Sequence, residues 1–240
     1  MFQAKKRRVF AGVMMGAALA VMSTGCSSSR AAKVDESWLA RVPEDQLGDV
    51  REAQTQKRMA QDAVTRSDVA LNDSRRELEV AKRNSDAAKA RRDAHDAALK
   101  AANATGQSNN IRQAQSELKG ADSGLGAAQA QVKYREQAIK TMEAQKELRE
   151  NELAVADAKL NMAEYNALKS NQDVRAKDLS EADFASATAD AQRKVEEAQR
   201  KVQSQQNQEQ QARANWERMR NQVQGYGGSG TQYEQRIDNP

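Results

Sequence analysis

Apolar residues recur along this chain at alternating steps of three and four, with charged and polar residues between them. One row at seven-residue spacing reads Val50, Lys57, Val64, Leu71, Leu78, Ser85, Arg92 and Leu99. The row three residues later reads Ala53, Ala60, Ser67, Ser74, Ala81, Ala88, His95 and Ala102. Large side chains dominate one row and small ones the other. This is the a/d seam of a coiled coil, with a narrow side that admits close helix approach. Pro43-Glu44-Asp45 predicts the start of this helix, since proline suits the first helical position and acids suit the positive end of the helix dipole.

The pattern stops at Ala104–Asn110. Gly106 suits the left-handed conformation that ends a helix, and Asn109 or Asn110 suits the cap of the next. A second seam reads Ile111, Leu118, Leu125, Val132, Ile139, Lys146, Leu153, Leu160 and Ala167. Its companions are Ala114, Ala121, Ala128, Arg135, Met142, Arg149, Ala156 and Ala163. Leu148, Val155 and Met162 add a third row, wider than a two-stranded seam needs. Gly120, Gly124 and Gly126 weaken this helix near its start, at about 1 kcal/mol each relative to Ala.

The stretch Lys169–Lys177 is polar and lacks Gly and Pro. After it, Ser180 and Asp183 have the spacing of a capping box, and Leu179 and Phe184 that of a hydrophobic staple. A third seam pairs Phe184, Ala191, Ala198, Gln205, Ala212 and Met219 with Val195, Val202, Glu209, Trp216 and Val223. Ala167 and Val195 lie four whole heptads apart, which favours one continuous helix. The capping signals and the wide stripe of the second helix favour a turn. We adopt the turn: the fold class is all-α, a long antiparallel coiled-coil hairpin of three helices with a disordered C-terminal tail. The boundaries are 1–25 leader, 26–42 tether, 43–224 coiled-coil domain and 225–240 Gly-rich tail.

Charge changes this picture little. The chain has 38 Lys+Arg and 34 Asp+Glu, but Lys5, Lys6, Arg7 and Arg8 fall in a leader without acids, so the rest is balanced. A balanced chain lacks the clustered basic face of nucleic-acid binders, and no nucleic-acid partner is expected. Aromatics at 4% cannot furnish an ordinary globular core, which leaves disorder or long helix, and the periodicity decides for helix.

Candidate chemistry is sparse. His95, the single histidine, sits on the small row of the first seam and has no second His or Cys to share a metal with. Gly120–Gly124 lacks the strand-then-helix context of a phosphate cradle. No catalytic, metal or cofactor-binding residues are assigned, and the chain is read as a non-enzyme. Trp216 and Met219 are read as packing residues, and Lys57, Arg92, Lys146 and Arg149 as seam charges that set register.

The N-terminus carries a sharper signal. Lys5–Arg8 precede fourteen uncharged, mostly apolar residues, Val9–Met22, the form of a secretion signal and short for a membrane span of ~20 residues. Ser23, Thr24 and Gly25 then precede Cys26, the only cysteine. Thr24-Gly25-Cys26 resembles the lipobox of bacterial lipoproteins, with Ser23 where that family usually has an aliphatic residue. The resemblance implies cleavage before Cys26 and lipidation of its thiol, with acyl chains as the membrane anchor. A conventional signal-peptidase cut and an uncleaved anchor remain the alternatives. Ser27, in place of the Asp that often retains such proteins at the inner membrane, implies the outer membrane's inner leaflet, facing the periplasm.

The stretch from Tyr165 to Ala198 resembles the hairpin tip of periplasmic efflux adaptor proteins. That family docks with an outer-membrane channel through an Arg, a Leu and a Ser, which implies Arg175, Leu179 and Ser180 here. Two roles follow as expectations. One is a lipid-anchored structural or scaffolding protein that binds an envelope protein, or a second copy of itself, through helix faces. The other is an accessory of a transport or efflux assembly that docks through the tip.

Overall fold

The computed structural model describes residues 33–224, and they are helical almost throughout. Three long helices carry the fold: α1, Gly48–Thr105; α2, Ser108–Ser170; and α3, Glu181–Gln224. At 1.5 Å per residue they run about 87, 95 and 66 Å. Short 3₁₀ turns cover Glu36–Arg41, Glu44–Gln46 and Val174–Asp178. The expected leader, Cys26 and the Gly-rich tail lie outside the described residues.

The three expected seams, Arg149 excepted, are buried or half-buried rows of the three helices. Every seam position from Val50 to Ala102 is buried or half-buried, whereas nearly all other residues of α1 are exposed. The same holds of the third seam from Phe184 to Val223. Ion pairs between helices fix their directions. Lys57 pairs with Asp157 at 2.6 Å, Lys146 with Asp68 at 2.7 Å, Arg135 with Glu77 at 2.8 Å and Arg92 with Asp122 at 3.1 Å. Numbers rise in α1 as they fall in α2, so the two are antiparallel. In this register the large row of α1 lies opposite the small row of α2, and the reverse. Four of the basic residues that interrupt the seams thus meet carboxylates across the interface, while Arg149 pairs within its own helix with Glu152.

The wide stripe of α2 has a specific cause: α2 bears two seams. Leu148, Val155 and Met162 belong to a row that also holds Ala127, Tyr134 and Thr141, and its companion is Ala130, Gln137, Ala144, Asn151, Ala158 and Tyr165. At 3.5 residues per turn the two seams are offset by roughly 150° around the helix. They therefore face nearly opposite directions, one toward α1 and the other toward α3. Helices α1 and α3 each pack along α2 and scarcely touch each other. The arrangement is a layer with α2 in the middle.

Both turns are made by left-handed residues. Gly106, at φ 68°, ends α1 as expected. The residue before α2 is Gln107, however, and Asn109 and Asn110 lie inside the helix, where Asn110 donates to the Gln107 side chain at 2.7 Å. The second turn uses Gln172, at φ 54°. The Asp173 N–H donates to the Leu168 carbonyl at 3.0 Å and the Gln172 N–H to that of Lys169 at 3.1 Å, the paired bonds of a Schellman ending. The register that favoured a continuous helix is coincidental to this turn. At the start of α3 the Asp183 N–H donates to the Ser180 carbonyl at 3.1 Å, where a capping box would use the hydroxyl. Leu179 packs on the cluster that holds Phe184.

Candidate functional site

The largest apolar cluster sits at one end of the layer, where α1 begins, α2 ends and α3 begins. It joins Val50 and Ala53 of α1, Leu160, Tyr165, Ala167 and Leu168 of α2, Ala176 of the turn and Phe184 of α3. Phe184 and Leu168 are 1% and 0% exposed, and such burial stabilises by about 2–3 kcal/mol per side chain. Tyr165 and Phe184 stack with ring centroids 5.0 Å apart.

The segment before α1 completes this cluster. Val34 and Val42 are buried in it, and Trp38, Leu39 and Leu47 pack against it. The tether expected over 26–42 is thus, from Val34 onward, part of the packed end. Asp35 caps the first 3₁₀ turn by accepting from the Ser37 N–H at 2.9 Å. Pro43 precedes the second turn rather than opening the long helix, which starts at Gly48. The segment reaches the α2–α3 turn by two contacts. The Asn171 side-chain amide donates to the Arg41 carbonyl at 3.3 Å, and the Arg175 guanidinium lies 5.1 Å from the centre of the Trp38 ring.

Arg175 is held in place from its other side. Its backbone N–H and its Nε donate to Asp173 Oδ1 at 3.0 and 2.8 Å. That guanidinium keeps the Asp173 carboxyl down at about 2, below the usual carboxylate range. Leu179 is half-buried and Ser180 is exposed. Of the three tip residues, then, Arg175 is engaged with Asp173 and Trp38, Leu179 with the apolar cluster, and Ser180 with the start of α3.

Glu164 is the ionisable group that sequence reasoning missed. It lies on α2 one turn before Leu168, only 2% exposed. Burial pushes its carboxyl up to about 7, and the neighbouring Glu36 carboxylate adds to the rise. Lys57 and Lys33 oppose it, and Asp157, itself paired with Lys57, adds to it. An acid one step off the seam carries no signal of this in sequence, because two of the charges that act on it, Glu36 and Lys33, belong to the segment before α1.

No family model, curated protein or solved structure matches the chain.

At the far end, His95 lies half-buried on its seam with Nδ1 3.5 Å from Glu117. Among the described residues no group of His, Cys, Asp and Glu side chains is arranged to hold a metal ion. Trp216 stacks on Tyr134 at 5.5 Å, and the Met219 methyl lies 3.0 Å from where a Cβ on Gly126 would sit. Both residues pack as expected, with the tip of Met219 against Gly126. Among the described residues, no helix is long and apolar enough to cross a membrane.

Proposed function

We propose that this chain is a lipid-anchored coiled-coil lipoprotein of the cell envelope, with a structural or scaffolding role exercised through its helix faces. The observation that carries the reading is the run Lys5–Arg8, Val9–Met22 and Thr24-Gly25-Cys26, followed from residue 33 by a helical layer with charged, exposed faces. Val34, eight positions after Cys26, is buried in the apolar cluster that joins all three helices. The apolar cluster that buries Val34 is also where α1 begins. From there α1 carries the Gly106 turn about 87 Å away. Ser27 after the cysteine favours the inner leaflet of the outer membrane, facing the periplasm. The partners are the membrane, through the anchor, and an envelope protein, through the helix faces.

The second reading, an efflux or transport accessory docking through Arg175, Leu179 and Ser180, has a geometric consequence. Arg175 lies over Trp38 and Asn171 donates to Arg41, so a channel docked at this turn would also meet the segment before α1. The engagement of Arg175 with Trp38 and Asp173 favours a structural turn over a docking tip. Crosslinking in cells followed by mapping separates the two. A channel captured through residues 168–184 supports docking, and capture along the exposed faces of the helices supports the scaffold.

A further inference from the structure

Helix α1 has a second seam that nothing in the described chain covers. Met59, Val69 and Val80 are 65%, 57% and 43% exposed. They share two seven-residue rows with five charged residues between Asp62 and Arg83 and with six alanines between Ala87 and Ala104, which are all exposed as well. These rows alternate by three and four like the buried seam, and lie roughly 150° from it around the helix. That is the offset between the two seams of α2, where both are filled. The face of α3 that points away from α2 carries Arg193, Glu196, Arg200, Gln203 and Gln210. The layer therefore ends in a polar helix on one side and, on the other, in a helix whose outer stripe is alanine over 87–104 and mixed apolar and charged over 59–83.

We propose that this stripe binds a second copy of the chain, α1 against α1, antiparallel about a twofold axis. This deepens the scaffold reading by naming a partner, but it rests on the helical layer alone. The composition of the stripe fits that occupant. Its distal half, 87–104, is alanine, and its proximal half, 59–83, carries the bulky and charged residues. Only reversal sets each half against the other, the large-against-small arrangement by which α1 already meets α2. A register centred near Leu78 places Val69 opposite Ala87, Met59 opposite Ala97, Asp73 opposite Arg83 and Arg76, paired with Asp73 on its own helix, opposite Val80, each twice. A parallel copy would instead set Asp73 on Asp73 and Arg76 on Arg76. The polar outer face of α3 offers no comparable contact, so the assembly closes at two.

Sedimentation equilibrium of the full chain carrying Cys26→Ser, which removes any acyl anchor, tests this. A dimer is expected. Ala94→Glu with Ala97→Glu should raise its dissociation constant roughly 100-fold or more without changing the helical circular dichroism. Gln203→Glu with Gln210→Glu, on the outer face of α3, should leave it intact. Asp73→Arg and Arg83→Asp should each weaken the dimer about tenfold, and the two together should restore it. A monomer at about 100 μM, an open-ended polymer, or a dimer indifferent to the Ala94 and Ala97 changes overturns the proposal. Charge changes that fail to restore one another overturn the register. None of these outcomes depends on whether Cys26 is lipidated.

Discussion

The Arg175 guanidinium and the Trp38 ring, 5.1 Å apart, join the α2–α3 turn to the segment before α1. Residues 137 positions apart in sequence thereby close the same end of the layer. Arg175 can serve as a strut because Asp173 holds it in one orientation.

Removing the ring should loosen that end. Trp38→Ala loses apolar burial and the cation–π contact, and should cost about 2 kcal/mol. Amide hydrogen exchange should then accelerate over residues 34–47 and 171–179, with little change near the Gly106 turn. Uniform acceleration along all three helices would show that the clasp is not a local element.

Gln172 offers a test with the opposite sign. It holds a left-handed conformation, φ 54°, that glycine adopts without the steric cost of a Cβ. Gln172→Gly should stabilise the protein by about 1 kcal/mol in a denaturant titration. A loss of stability would mean that the glutamine side chain contributes more to the turn than its backbone strain costs.

These residues also mark what the sequence left hidden. The seams of α1 and α3 were legible because long helices repeat the same burial choice every three or four residues. The second seam of α2 was only half visible, since Gln137 and Asn151 stand in its companion row and read as surface. The position of the α2–α3 turn had no glycine to mark it, because Gln172 takes that place. The clasp was missed for a different reason: turns of three to six residues are too short to show a period, so Val34, Trp38 and Val42 looked like tether. The docking assignment rested on Arg175, Leu179 and Ser180 as residue types, and only the fold shows how each is engaged.

Glu164 makes stability depend on pH in a defined direction. Its folded-state pKa, about 7, lies above the 4.5 of an unperturbed glutamate, so the folded state holds its proton more tightly. The associated stability is fully present below about 4.5, falls as pH rises, and is gone above about 7. The difference is on the order of 3 kcal/mol. Denaturant titrations at pH 5 and pH 8 should show the fall, and Glu164→Gln should flatten it and stabilise the protein at pH 8. A Glu164→Gln variant with the same pH profile as the parent would assign the dependence to other groups.

Phe184 reports on the apolar cluster itself. At 1% exposure and stacked on Tyr165, it should cost about 3–5 kcal/mol when replaced by alanine. The exposed Met59→Ala should cost less than about 0.5 kcal/mol in the monomer, because nothing in the described chain packs on it. Similar losses at the two sites in thermal unfolding would contradict the assigned faces of the helices.

The central claim, a lipid anchor at Cys26, is tested most directly by intact and peptide mass spectrometry of the mature protein from its own membranes. We predict an N-terminus at Cys26 whose mass includes a diacylglyceryl group on sulfur and an acyl chain on nitrogen, together with release from the membrane on Cys26→Ser. A mature chain that begins elsewhere, or that begins at Cys26 with a free thiol, would contradict it.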